Sequence, residues 1–373
     1  MTIHPHDAPA NGPEFSASLV FSGGIGLGSY QAGACDALLS RPSGRIGWIA
    51  GSSIGVLNGA MVAGSEPSAV METLQAYWLR GAAWGSYGPP SPSLRHAANW
   101  MSALQTRLFG SLGRLQALGP RLSFSSFYDL TPTVAFLRKT IDFGRLNGGD
   151  IRFTVATTDI ESGDVVLFDT GKGHRIEMDH LLASCGFLPE FAPVEIGGRL
   201  LGDGGLAVNA PFEPILDEAE GTNDPVFILD LFARDGRRPT GLESALARKN
   251  AIVFGNQTWG RLDAYRRYWD RLPATSRPPV FYLSYFPVKG EAGPEMPYDF
   301  SLSSAQNRWS AGRLDMEAGL ARMVNAQASS DFVTVIRRPE SEGARALVTA
   351  PQRDEGIEQI SRDEAVPLPA SLV

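Results

Sequence analysis

The segment Gly51-Ser52-Ser53-Ile54-Gly55 has the form G-x-S-x-G, a spacing that can make a serine reactive. A serine at a sharp strand-to-helix turn has strained dihedrals, and side chains two places to either side would collide. Glycines at 51 and 55 remove that collision and expose the Ser53 hydroxyl above a sheet edge. The helix that follows points its first amides at the same place, where negative charge develops during acyl transfer. The competing reading is a tight turn with a capping serine.

A serine nucleophile needs a base. The histidines are His4, His6, His96, His174 and His180, and none lies beyond residue 180. An α/β-hydrolase order of serine, acid and then histidine therefore finds no late histidine to close it. His174, in Gly171-Lys172-Gly173-His174, reads as a solvated loop residue. The other candidate base is Asp203, in Gly202-Asp203-Gly204-Gly205. An acid between glycines sits on a backbone that can approach another loop closely, although by itself it is equally a turn residue.

Gly24-x-Gly26-x-Gly28 follows an apolar run and precedes a helical pattern, which invites a dinucleotide-binding reading. The fingerprint needs a further glycine or alanine where Ser29 stands, and an acid about twenty positions on for the ribose. No Asp or Glu occurs from Ala37 to Ser65, which argues against NAD and FAD. No G-x-x-x-x-G-K-[ST] run occurs either, so a P-loop is excluded. What remains for exposed amides at a helix start is to stabilise an anion, here an oxyanion.

These loops need elements to hold them. Ser18 to Phe21 and Ile46 to Ala50 read as buried strands, with helical patterns at Tyr30 to Leu39 and Val56 to Ala63. Strand, glycine turn and helix twice in succession predict an α/β fold with a parallel sheet. Further strands are expected at Ile151 to Ala156, Val165 to Phe168, Val226 to Phe232, Val280 to Phe286 and Phe332 to Ile336. Long helices are expected around Glu243 to Trp269 and Ser303 to Val324. Residues 81–126 interrupt the alternation. There Trp100, Leu104, Leu108, Leu112, Leu115 and Leu118 recur near helical spacing, with Arg107, Arg114 and Arg121 around them. This reads either as a pair of helices packed on the core or as a lid or membrane-facing cap.

The 373 residues suit one large domain or two, and 43% hydrophobic with 20% charged residues is ordinary globular usage. Forty-one Gly and 26 Pro mark many tight turns. A net charge of −7 disfavours a general grip on nucleic acid. Cys35 and Cys185 are too few for a disulfide framework or a zinc site and fit a reducing, cytoplasmic setting. The polar start is no secretory signal, and no apolar run is long enough to span a bilayer. Peripheral contact with a membrane or lipid surface stays open.

The glycine loop, the G-x-S-x-G turn and an Asp-Gly-Gly 150 residues after the serine stand in one order. Together they resemble the patatin-like phospholipase family. Ser22-Gly23-Gly24 leads into Gly28-Ser29-Tyr30-Gln31-Ala32-Gly33. Ala183-Ser184-Cys185 and Pro189 lead through Phe191-Ala192-Pro193-Val194-Glu195-Ile196 to Asp203-Gly204-Gly205. The resemblance spans about Ser18 to Phe232. It implies a three-layer α/β/α sandwich with a mainly parallel central sheet. It also implies a Ser53–Asp203 dyad without histidine, metal or cofactor, and an oxyanion hole from the amides of Gly23, Gly24 and Ile25. The activity implied is hydrolysis of lipid acyl esters through an acyl-enzyme. The organisation expected is a leader at 1–15, a catalytic domain at 16–235 with 81–126 as a cap or lid, and a mostly helical C-terminal extension at 236–373.

The chain departs from the family's Gly-Gly-Gly-x-Arg/Lys-Gly loop at two places. Ile25 stands at the third glycine and Leu27 at the basic position. The lost cation bears on phospholipid preference more than on ester hydrolysis. It also motivates an alternative, a weak or inactive scaffold that binds acyl groups or a protein partner.

Overall fold

The computed structural model describes residues 15–80, 92–111, 114–117, 126–273, 277–287, 293, 296–325 and 333–336. All belong to a unit spanning residues 1–337; the second unit, 338–373, lies outside the described residues, as does the leader apart from Phe15.

Strand β1 (Phe15–Phe21) runs through a 3-10 turn (Ile25–Gly28) into helix α1 (Ser29–Leu39). Strand β2 (Gly44–Ser52) runs into α2 (Ile54–Ala63) with only Ser53 between them. Helix α3 (Val70–Gln75) continues as a π turn (Ala76–Arg80). Helix α4 (Pro92–Phe109) leads to a small antiparallel sheet of β3 (Gly110–Ser111), β4 (Leu115–Ala117) and β5 (Tyr128–Asp129). Helices α5 (Thr131–Thr140) and α6 (Phe143–Gly148) return the chain to β6 (Arg152–Asp159) and its antiparallel neighbour β7 (Val165–Asp169). Helix α7 (Met178–Ser184) precedes the hairpin of β8 (Val194–Ile196) and β9 (Arg199–Asp203). Helix α8 (Glu213–Leu216), β10 (Val226–Asp230), α9 (Leu242–Trp269), β11 (Val280–Ser284), α10 (Leu302–Asn325) and β12 (Val333–Ile336) complete the described chain.

The main sheet has the order β12-β11-β10-β1-β2-β6-β9-β8, with β7 also on β6. The six strands from β12 to β6 are mutually parallel. Their side chains alternate between two cores. Leu19, Phe21, Ile49, Phe153, Phe227, Leu229 and Phe281 face one core, with α1, α2 and α10. Val20, Ala50, Val226, Ile228, Val280 and Tyr282 face the other, with α8 and α9. The fold is therefore a three-layer α/β/α sandwich, and the C-terminal helices are present as α9 and α10.

Among the described residues after 236, two strands share this sheet. Strands β11 and β12 continue it in parallel beyond β10. Helix α10 lies against α1 at a distance that only glycine permits. A Cβ on Gly33 would meet the Trp309 carbonyl, and one on Gly312 the Tyr30 carbonyl. Around this crossing Tyr30 Oη donates to Asp315 at 2.8 Å, Trp309 Nε1 donates to Asp36 at 3.0 Å, and Arg313 pairs with Asp36 at 2.9 Å.

Among the described residues of 81–126 there is one helix, α4, followed by the short strands β3 and β4. Helix α4 ends at Phe109 because Gly110 takes φ 82°, and the chain turns into β3 and β4, where Leu115 is buried. Trp100 and Leu108 face solvent. Leu118 and Leu112 lie outside the described residues. Among the described residues no helix is long and apolar enough to cross a membrane.

Candidate functional site

Strand β6 brings the two predicted loops together. Ser52, the last residue of β2, pairs with Ala156, and Asp203, the last of β9, pairs with the next residue, Thr157. Strand register thus sets Ser53 and Asp203 side by side although they are far apart in sequence. The glycine loop closes the group from the end of β1, which lies between β10 and β2. This is the carboxyl end of the parallel strands, where open α/β sheets place their ligands.

Ser53 has φ 55° and ψ −127°, a conformation that costs a non-glycine residue about 1–3 kcal/mol. Two features hold it there. The Ser53 amide donates to Ser184 Oγ at 3.0 Å, and that hydroxyl donates to the Ala156 carbonyl at 2.6 Å. The flanking glycines let the backbone close up: a Cβ on Gly55 would enter the Phe21 carbonyl, and one on Gly51 would lie 2.9 Å from the Val56 amide.

Asp203 is 1% exposed. Its Oδ1 accepts from the Gly205 amide at 2.6 Å and from Ser52 Oγ at 3.5 Å. Burial pushes its carboxyl up to about 7, against hydrogen bonding from the Ser53 hydroxyl, the Gly205 amide and the Ser52 hydroxyl. A carboxyl there changes charge near neutral pH. Gly204 packs against Ala156 and Ser52, and with Gly205 it opens the turn after Asp203.

The glycine loop lies directly on Ser53, since a Cβ on Gly23 would be 3.0 Å from Ser53 Cβ. The Gly23 amide donates to the Asn209 carbonyl at 3.1 Å. Gly24 and Ile25 open the 3-10 turn, whose first amides have no acceptor within the turn. Ile25 has φ 50°, a left-handed conformation that is strained for a β-branched side chain and natural for the glycine expected there.

A chain of buried amides braces the loop. Gln31 Nε2 donates to the Ser22 carbonyl at 2.8 Å. Asn58 Nδ2 donates to the Gly28 carbonyl and to Gln31 Oε1, each at 2.9 Å, and Trp78 Nε1 donates to Asn58 Oδ1 at 2.9 Å. Leu27, at the basic position of the resembling family, is fully buried. A cation reaches the loop from α10 instead. Arg308, with no exposed surface, donates to the carbonyls of Gly26 at 3.0 Å and Asp299 at 2.8 Å, with the Asp299 carboxylate 3.9 Å away.

Ser53 opens into a cavity of about 40 Å³ lined by apolar side chains, among them Ile25, Leu57, Leu115, Phe191 and Phe300. Arg114 and Cys185 also line it. Arg114 is buried, donates to the carbonyls of Tyr77 at 2.5 Å and Trp78 at 3.1 Å, and lies 5.1 Å from the centre of the Phe300 ring. Burial and the Asp203 charge raise the Cys185 thiol well above its usual value. His174 and His180 both sit against Phe168, whose ring centre lies 5.8 Å and 4.4 Å from theirs. Neither belongs to the group around Ser53.

Sequence reasoning missed Ser184, Asn209 and Arg308 as parts of this arrangement. Only Ser184 carried a signal, its place in the Ala-Ser-Cys run. The match to known proteins takes in Ser184 and Asn209 but not Arg308. The family described as Patatin-like phospholipase matches residues 19–216. None of the curated proteins compared matches. Among solved structures, VipD from Legionella pneumophila is 13% identical with a TM-score of 0.42, over 84% of this chain and 68% of that one. The type III effector ExoU is 14% identical with a TM-score of 0.35, over 83% of this chain and 54% of that one. In the ExoU–SpcU complex from the type III secretion system of Pseudomonas aeruginosa, the figures are 14% and 0.35, over 84% and 52%. This chain therefore spans about half the length of ExoU. The family match takes in more than half of the chain, including the glycine loop, Ser53 and Asp203, and the chain belongs to the patatin-like phospholipase family.

Proposed function

We propose that the protein is a serine acyl hydrolase that cleaves carboxylic esters of lipids through Ser53 and Asp203. One observation supports this reading: Ser52 and Asp203 pair with adjacent residues of β6, and the buried Asp203 carboxyl, pushed up to about 7, receives hydrogen bonding from the Ser53 hydroxyl. The Asp203 carboxylate takes the Ser53 proton as Oγ attacks the ester carbonyl carbon. The amides of Gly24 and Ile25, with the start of α2, face the developing oxyanion. The ester C–O bond breaks, and the alcohol leaves with the proton that Asp203 holds. Water then attacks the acyl carbon as Asp203 takes its proton; the bond from that carbon to Ser53 Oγ breaks, the carboxylic acid leaves, and Asp203 returns the proton to Ser53 Oγ.

The small cavity supports a second reading, a scaffold that holds an acyl group without turning it over. At about 40 Å³ it is far below the roughly 300 Å³ at which ligand pockets begin, so a lipid chain enters only if the walls move. A fluorophosphonate probe separates the two readings. The hydrolase reading requires labelling at Ser53, loss of labelling in Ser53→Ala, and p-nitrophenyl ester turnover that Asp203→Asn abolishes. Turnover that survives either substitution removes that residue from the mechanism. A chain that never labels, with lipid or without, is the scaffold.

A further inference from the structure

Helix α4 is turned inside out relative to an ordinary surface helix. Its buried side carries Asn99, Ala103 and Thr106, small or polar residues at helical spacing. Its outer side carries Trp100, Met101 and Leu108, at 41%, 58% and 59% exposed, followed by Phe109 at 74%. Phe127, next to β5, adds another exposed ring at 59%. A surface helix that buries asparagine and threonine and presents tryptophan and leucine is built to meet an apolar partner.

The charge around it is equally one-sided. Between Glu72 and Asp129 the sequence has no acidic residue, but it has Arg80, Arg95, Arg107, Arg114 and Arg121, in a chain whose net charge is −7. Arg114 is buried against the carbonyls of Tyr77 and Trp78, and Arg80 pairs with Glu72, while Arg107 is exposed on α4 itself. A chain that anionic surfaces would otherwise repel thus has no acidic residue in the stretch that carries this apolar helix face. The face also adjoins the Ser53 cavity. Arg107 on α4 lies over the Tyr298 ring, 4.5 Å from its centre, and accepts from Tyr128 Oη at 2.7 Å through its carbonyl. Phe300, two residues past Tyr298, and Leu115, in the strand that follows α4, are walls of the cavity.

We infer that the outer face of α4 is a docking surface for an anionic lipid bilayer, laid so that lipid meets the protein at the mouth of the Ser53 cavity. The choice of lipid over a protein partner rests on reading Ser53 as a lipid acyl hydrolase site. Trp100 and Leu108 enter the acyl boundary while Arg107 meets the head groups, the arrangement of interfacial helices. Lipid contact at this wall also offers a means of widening a cavity too small for a chain.

The test uses the full chain and vesicles of phosphatidylcholine alone or with one third phosphatidylglycerol, in cosedimentation at about 0.05 M and about 0.5 M salt. Turnover of a soluble short-chain ester is measured in parallel. The expected result is at least about tenfold tighter binding to the anionic vesicles, weakened at the higher salt. The double variant Met101→Glu/Leu108→Glu should lose at least about tenfold in binding and keep its soluble-ester turnover. Trp100→Ser, with thermal melting as a check on folding, gives a second reading at a separate exposed position. Three results overturn the inference: no binding, binding indifferent to lipid charge, or variants that bind like the parent. A concentration-dependent dimer abolished by the same variants assigns the face to a second copy of the chain and also overturns it. If the parent binds anionic vesicles but turns over no ester, the hydrolase reading fails while the docking surface stands.

Discussion

Under the proposed mechanism, titration of Asp203 gives catalysis and stability opposite pH dependences. Its carboxyl ionises near 7 in the folded protein against a usual 3.8, because burial outweighs the hydrogen bonds it receives. Only the carboxylate can take the Ser53 proton, so about one tenth of the protein is competent at pH 6 and about one hundredth at pH 5. Hence kcat/KM for a soluble p-nitrophenyl ester rises about tenfold per pH unit up to about 7 and then levels. Stability moves the other way. The unfolded chain releases this proton near pH 4, the folded chain only near 7, so in that window the folded state binds more protons and loses stability as pH rises. A rise from 3.8 to about 7 corresponds to ~4 kcal/mol, present in full below pH 4 and gone by pH 8. Asp203→Asn keeps the shape without the charge. It should melt several degrees above the parent at pH 8, and the gap should close toward pH 4. Parallel melting of the two proteins at every pH, or a rate flat from pH 5 to 8, refutes this account of the site.

Other substitutions test the supports. Ser184→Ala removes the acceptor of the Ser53 amide, a loss of about 1–2 kcal/mol that should lower kcat about tenfold with little change in KM, measured by steady-state kinetics. Arg308→Met leaves the Asp299 carboxylate buried without its cation and should cost about 3–5 kcal/mol in urea unfolding. Adding Asp299→Asn should recover stability but not turnover, because the Gly26 carbonyl still lacks its donor. Gly312→Ala drives a methyl into the Tyr30 carbonyl and should cost about 1–3 kcal/mol or more by the same unfolding measurement.

The elements that hold Ser53 and the glycine loop were legible because both are local. A run of apolar residues, a glycine turn and a helical pattern sit within a few tens of residues, and β1, β2, α1 and α2 follow them closely. Strands β10, β11 and β12 and the two long helices were also readable from periodicity. What could not be read depends on register and on contacts between distant segments. Nothing in Gly33 or Gly312 says that each is the other's neighbour, and Arg308 reads as an ordinary helix arginine until α10 is laid on α1. The bond from the Gly23 amide to the Asn209 carbonyl likewise joins segments far apart in sequence. Residues 100–118 misled for a different reason. Their apolar spacing is nearly helical, but Gly110 ends the helix, and exposure separates Trp100 and Leu108 from the buried Leu115.

The bond from Arg308 to the Gly26 carbonyl spans 282 residues. During synthesis, Ser53, the glycine loop and Asp203 all leave the ribosome before α10 exists. A nascent chain that already holds Ser53 and Asp203 still lacks the arginine that braces the loop beside them until residue 308 has emerged.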